Sequence, residues 1–429
     1  MQVIKYPNSE ELELILKRPV QDLKKIKKIV KPILKAVKRK GDRALIKFAL
    51  EYDHAEINQL DVTEIEISEA IRSVDPELKN AIVQAKNNIE KFHLGQVQSE
   101  QVTETMPGVT CYRKSVAIEN VGLYVPGGSA PLFSTVLMLG IPAQIAGCKE
   151  IVLCTPPNRK GNIHPAILYA ADLIGITKIR KVGGAQAIAA MAYGTDAVPK
   201  VDKIFGPGNQ YVTAAKQIVS QKGVAIDMLA GPSEVAILAD ETALPQFVAA
   251  DLLSQAEHGI DSQVLLISTN EKVISSSIES VRKQLETLPR KKIAEQSIQN
   301  SVAILVKTES NAIEIINKYA AEHLILAVKD ADSVSDQITN AGSVFLGNYT
   351  PESAGDYASG TNHTLPTNGS ANVNSGVSVD SFVKKITFQR ITKDGIKLIG
   401  PIIEKMAAEE ELVGHKEAVS ERLNYLDQN

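Results

Sequence analysis

The sequence predicts an α/β protein built on parallel or mostly parallel sheets, followed by a helical tail. From about residue 118, short apolar runs rich in β-branched residues alternate with amphipathic helical stretches. That is the pattern of strands covered on both faces by crossover helices. Nearly every run ends in Gly, Pro, Asn or Asp, at the strand ends where such sheets bind ligands. After about residue 375 the glycines thin out and the charges fall on one side of helical patterns.

Taken in order, residues 21–40 carry nine Lys and Arg, yet Leu23, Ile26, Val30, Ile33 and Val37 recur at three- and four-residue steps. This spacing predicts one buried helical stripe with a solvated basic face. Pro32 predicts a kink or restart, Gly41 a stop, and Asp42 the cap of the next helix. The predicted strands are Ile151–Cys154, Lys178–Val182, Val201–Phe205, Val235–Ala239, Val264–Ile267, Val302–Val306 and Val344–Leu346. Helical stretches fall between them at 165–174, 209–222, 246–258, 273–287 and 311–321. The tail predicts two helices separated or kinked near Gly400-Pro401, of a length suited to packing on a partner subunit.

Composition excludes several classes. The chain has 429 residues, enough for two or three domains, and 44% of them are hydrophobic, so wholesale disorder is excluded. A net charge of −3, with only 4% aromatics and no Trp, gives no reason to expect a nucleic-acid binder. Cys111, Cys148 and Cys154 have no CxxC spacing and make no disulfide framework, which points to a reducing compartment. The first twenty residues lack a secretion signal, and no stretch is long and apolar enough to span a membrane. We therefore expect a soluble, cytoplasmic protein.

Four glycine-rich clusters follow strand-like runs: Tyr124–Gly128, Gly183–Gln186, Gly206–Asn209 and Gly231–Glu234. Such loops let backbone N–H groups approach phosphates or carboxylates, although turn-making alone accounts for any one of them. None matches GxGxxG, since Tyr211 stands where a third glycine would follow Gly206 and Gly208.

Of seven histidines, His54, His93 and His164 have unremarkable neighbours. The other four lie beside acids or amides, in Gln255–His258, Glu322-His323, Asp356–His363 and Glu410–His415. Gln255 and His258, three apart on a helix, can face one ion. Imidazole and carboxylate donors suit zinc, and equally Mn, Fe or Co. No cysteine lies near them, which disfavours a structural zinc cage.

Together these motifs resemble the histidinol dehydrogenase family. The matching segments, in the family's order, are VGLYVPGGSAPLFSTVLML, VGGAQAIAA, DKIFGPGNQYV, AIDMLAGPSEVAILAD, DLLSQAEHG, AAEHL, SAGDYASGTNHTLPT and GHKEAV. They span residues 121 to about 419. The resemblance implies two incomplete Rossmann-like domains and a homodimer whose tail reaches into the partner's site. On that basis we expect residues 1–20 as an N-terminal segment and 21–120 with 233–375 as one domain. Residues 121–232 would form the cofactor domain, and 376–429 the helical tail.

The resemblance also implies roles. Gln255, His258, Asp356 and His415 would bind zinc, the last from across the dimer interface. Glu322 and His323 would be the acid–base pair. Ser233, His363 and Glu410 would contact substrate, with His323 and the zinc ligands. Tyr124, Gln186 and Asn209 would bind NAD+. The implied reaction oxidises L-histidinol to L-histidine through the aldehyde, at the expense of two NAD+. Competing readings are another zinc-dependent alcohol or aldehyde dehydrogenase, a zinc hydrolase on a related amino-alcohol, cysteine-based aldehyde oxidation, and an inactive metabolite-binding protein.

Overall fold

The computed structural model describes residues 1–18, 23–127, 131–228 and 231–428, so Gly128 and the side chain of Leu23 lie outside the described residues. The strands are β1 (Gln2–Lys5), β2 (Val102–Met106), β3 (Val109–Ala117), β4 (Asn120–Tyr124), β5 (Glu150–Thr155), β6 (Ile179–Lys181) and β7 (Lys203–Phe205). They continue as β8 (Ala225–Ile226), β9 (Glu234–Ala239), β10 (Gln263–Ser268), β11 (Val302–Leu305), β12 (His323–Ala327), β13 (Ser343–Leu346) and β14 (Val383–Ile391).

Two sheets are wholly parallel, as the apolar runs predict. One has the order β1-β11-β10-β9-β12-β13 and the other β6-β5-β4-β7-β8. Counted in chain order, β9 to β13 and β4 to β8 each run 3-2-1-4-5, the dinucleotide-binding order without its sixth strand. β9 is buried along its whole length because helices cover both its faces. The helix Phe133–Ala146 is apolar all round and buried from Ser134 to Ala143. It lies between the second sheet and the helix Pro76–Leu94.

The packing corrects the expected domain division. The stripe Ile26, Val30, Ile33 and Val37 is buried against the helices Gly184–Tyr193 and Gln210–Ser220, which cover the second sheet. Ile67, Ile82 and Ile89 join the core on that sheet's other face. The helices between 23 and 94 therefore belong with 121–226 and not with 233–375. A stripe's periodicity says that a helix is buried, not against which sheet. β1 likewise joins the first sheet beside β11, so the N-terminal segment is not separate.

Local expectations also shift. Leu23–Lys40 is one helix with Pro32 inside it. Gly41 precedes the helix Asp42–Tyr52, and the Asp42 side chain accepts from the Ala197 N–H at 3.0 Å instead of capping. The tail is not all helix, because β14 pairs antiparallel with β3 over nine residues. Its helices are Lys393–Glu409 and Val413–Gln428, so the break falls at 410–412 and Pro401 lies inside the first. Among the described residues no helix is long and apolar enough to cross a membrane.

The loop after β7 is fixed from beneath. Gly206 has φ 126°, and a Cβ there would lie 2.0 Å from the Tyr124 carbonyl oxygen, so only glycine fits. Its N–H donates to Asp227 Oδ2 at 2.7 Å, while the buried Lys216 ammonium donates to Asp227 Oδ1 and to the Gly206 carbonyl. Lys216→Met should strand the Asp227 carboxylate and cost about 3 kcal/mol. The check is a lower urea midpoint with an unchanged slope.

Candidate metal and acid–base site

The first sheet carries its chemistry at the amino edge, not at the carboxyl edge that strand endings suggest. The helix Glu309–Tyr319 ends at Ala320, whose left-handed φ of 50° turns the chain into β12. Glu322 and His323, at the head of that strand, are both buried. Glu322 Oε2 accepts from the Glu234 N–H at 2.9 Å. His323 Nδ1 lies 3.3 Å from the Glu234 carbonyl oxygen, and Nε2 lies 3.4 Å from Asp356 Oδ1. Glu234, the first residue of β9, is anchored by Arg18, whose Nη2 donates to Oε2 at 2.9 Å.

Burial pushes the Glu322 carboxyl up to about 7, partly offset by His323. Burial alone would hold His323 neutral, but Glu352, Glu322 and Asp356 outweigh it and favour the imidazolium. Burial also raises Glu352, well above the ordinary carboxylate range. For Asp356 burial acts upward too, but the contact with His323 outweighs it and lowers the carboxyl.

Of the four expected metal ligands, His258 and Asp356 come together within the chain, and Gln255 reaches their group through Glu352. Gln255 lies in the last turn of the helix Pro245–Ala256, and His258 follows just beyond it, its N–H donating to the Gln255 carbonyl at 3.2 Å. Asp356 sits on the short helix Glu352–Tyr357. Ligand atoms of His258, Glu352 and Asp356 lie within 4.8 Å of one another. His323 Nε2 is buried beside Asp356 and lacks a hydrogen-bond partner. One imidazole nitrogen and two carboxylates at this spacing fit a divalent ion that takes N and O donors.

The sequence reading missed Glu352. With its nitrogen turned toward Glu352, the Gln255 amide donates to Oε2 at 3.0 Å, and its oxygen accepts from the Glu234 N–H at 3.2 Å. The available signal was its spacing, since Glu352 stands four residues before Asp356 and shares its helical face.

The other expected substrate residues divide. His363 Nδ1 lies 2.9 Å from the Asp356 carbonyl oxygen, and its Nε2 lies 3.1 Å from Thr135 Oγ1 on the helix Phe133–Ala146 of the other sheet. Ser233 directly precedes β9, and its carbonyl accepts from the Gln263 N–H at 3.1 Å. Glu410, at the break between the tail helices, and His415, on the second of them, are exposed and are not in the metal group of their own chain.

The second sheet has its cavity at the carboxyl edge. A pocket of about 850 Å³ is lined by Tyr124, Gln186 and Asn209, the three residues expected to hold a dinucleotide. The Tyr124 hydroxyl accepts from the Gly184 N–H at 2.9 Å. Asn209 Oδ1 caps the helix Gln210–Ser220, accepting from the Tyr211 and Val212 N–H groups at 3.0 and 3.2 Å.

Two of the three cysteines, Cys148 and Cys154, do not suit thiol chemistry. Burial pushes Cys154 up to about 12 and Cys148 up to about 11, so neither supplies thiolate near neutral pH. Cys111 sits on β3, in the antiparallel sheet. On the two-step oxidation that the resemblance implies, alkylation of the native protein with iodoacetamide should leave both steps intact, and loss of the second alone would restore the cysteine reading.

A family model described as histidinol dehydrogenase matches residues 16–423. The chain is 59% identical over 426 residues to the histidinol dehydrogenase of Bacteroides thetaiotaomicron, covering 99% of this chain and 100% of that one. It is 50% identical over 425 residues to the chloroplastic histidinol dehydrogenase of Arabidopsis thaliana, covering 98% and 90%. The crystal structure of histidinol dehydrogenase from Elizabethkingia anophelis superposes with a TM-score of 0.98 at 57% identity, covering 100% and 99%.

Proposed function

The chain belongs to the histidinol dehydrogenase family, and on that premise we propose that it oxidises L-histidinol to L-histidine with two NAD+ in histidine biosynthesis. The observation that carries the reading is the buried Glu322-His323 pair placed against Asp356, within reach of the His258 group.

The residues divide the work. His323 takes the hydroxyl proton as a hydride leaves the carbinol carbon for the first NAD+. An aldehyde has no hydroxyl to deprotonate, so water must add before a second hydride can leave. Glu322 draws the proton from that water, and a carboxyl held near 7 is matched to the task. A divalent ion, zinc in this reading, would supply positive charge to orient the substrate and to offset the carboxylates that favour the His323 imidazolium. Gln255, His258 and Asp356 would hold it, with His415 of the partner subunit. Ser233, His363 and the partner subunit's Glu410 would line the substrate, and Tyr124, Gln186 and Asn209 the NAD+.

A homodimer suits the tail. Leu398, Ile402 and Met406 recur at four-residue steps on the helix Lys393–Glu409 and are exposed. They form an apolar stripe that a second copy would cover. We place the enzyme in the cytoplasm, with no nucleic-acid or membrane partner.

The test is NADH formed per L-histidinol consumed, with and without a zinc chelator. Two NADH, abolished by chelation and restored by zinc, is the expected result. One NADH would mean that the reaction stops at the aldehyde. None from folded, zinc-loaded protein would reject the dehydrogenase in favour of a hydrolase or binding protein.

A further inference from the structure

A strand order of 3-2-1-4-5 says where a dinucleotide's adenosine ribose should lie. In such folds an acidic residue at the end of the second strand accepts the ribose hydroxyls. In this sheet the second strand is β5, and it ends in Thr155-Pro156-Pro157-Asn158-Arg159, with no acid.

The position is nevertheless filled by a carboxylate. Asp53 ends the helix Asp42–Tyr52, outside the sheet's own strands and crossovers. The chain turns sharply there. His54 takes a left-handed φ of 54°, and the Ala55 N–H donates to the Ala49 carbonyl at 3.0 Å. The turn delivers Asp53 to the lining of the 850 Å³ pocket, together with Pro156 and Tyr124. Gly183, at the end of β6, marks how closely these groups meet. A Cβ there would lie 2.5 Å from Pro156 Cβ and 3.3 Å from Asp53 Oδ1. Asp53 Oδ2 is buried and has no hydrogen-bond partner. Burial pushes this carboxyl up to about 6, as expected where the protein supplies no donor of its own.

We propose that Asp53 is the ribose-binding and cofactor-selecting residue of this pocket, accepting the adenosine ribose hydroxyls of NAD+ and excluding the 2′-phosphate of NADP+. A carboxylate that lines a cavity and has an oxygen without a partner accepts a ligand hydroxyl and repels a phosphate dianion. The inference rests on the reading that NAD+ occupies this pocket.

The experiment compares wild type, Asp53→Asn, Asp53→Ser and Gln186→Ala, with melting curves to confirm folding. Each is assayed for KM with NAD+ and with NADP+, and for NADH affinity by nicotinamide fluorescence. In the Asp53 variants the KM for NAD+ and the NADH dissociation constant should rise roughly tenfold or more, the usual loss for a charge-assisted hydrogen bond. The preference for NAD+ over NADP+ should narrow by at least the same factor. An unchanged KM in both Asp53 variants, with a raised KM in Gln186→Ala, overturns the inference and leaves the pocket reading standing. A raised KM with the cofactor preference unchanged also overturns it, because a residue that only shapes the loop acts on both cofactors alike. If Gln186→Ala and the Asp53 variants all bind NADH as wild type does, the pocket reading falls and takes the inference with it.

Discussion

Glu322→Gln is expected to slow the aldehyde-to-acid oxidation by roughly 10²- to 10⁴-fold, the usual contribution of a positioned general base. The substitution preserves shape. A glutamine oxygen can still accept from the Glu234 N–H, as Glu322 Oε2 does at 2.9 Å, so the head of β12 stays in place. What is lost is the ability to take a proton from water. Glu322 is buried, so bulk solvent cannot readily supply a substitute base. Supplying L-histidinol and the corresponding aldehyde separately as substrates resolves the two steps. The variant should reduce NAD+ from the alcohol and stall on the aldehyde, giving close to one NADH per substrate. His323→Asn should show the opposite bias, with the alcohol step hit harder. An unimpaired rate on the aldehyde would remove Glu322 from the role of base.

The alternation of apolar strands with amphipathic helices was legible, and every strand read from it forms, with ends shifted by a residue or two. What escaped depended on partners that a local pattern does not name. β12 escaped because the polar pair Glu322-His323, just after the helical stretch 311–321, leaves only the short apolar run Leu324 to Ala327 to mark a strand. β14 was read as helix because it is mostly exposed and lacks a buried face to set a two-residue period. The helices between 23 and 94 showed their buried stripes but not the sheet beneath them. At the site, Gln255, His258, Asp356 and the Glu322-His323 pair were singled out in advance. Their proximity was not visible, because it arises from β9 and β12 pairing in parallel with His323 beside Val235. Glu352 and Asp53 escaped for the same reason, since each is an ordinary acid until the fold delivers it to a buried, donor-poor place.

The strongest demand on the tail is that two defective subunits repair one another. His258 belongs to the group formed with Glu352 and Asp356, whereas His415 is exposed on the helix Val413–Gln428, outside that group. If each metal site takes His258 from one subunit and His415 from the other, homodimers of His258→Asn and of His415→Asn should each lose stoichiometric zinc and nearly all activity. After subunit exchange, random pairing makes about half the dimers mixed. In a mixed dimer one site carries both substitutions and the other carries neither. Activity should therefore return to roughly a quarter of the wild-type value, with bound zinc rising in step. Repair cannot occur if both ligands come from one chain, because every site would then keep one substitution. Exchanged mixtures that stay dead would show that His415 serves its own subunit. A zinc-replete His415→Asn homodimer would remove His415 from the metal site. The stripe Leu398, Ile402 and Met406 gives a parallel check. Replacing Ile402 with Glu should release monomers that fold, since the stripe is exposed in the single chain, yet bind zinc poorly. Zinc loss that tracks dimer loss in that variant, with every metal-binding side chain intact, would tie the completed site to the tail's docking on the second subunit.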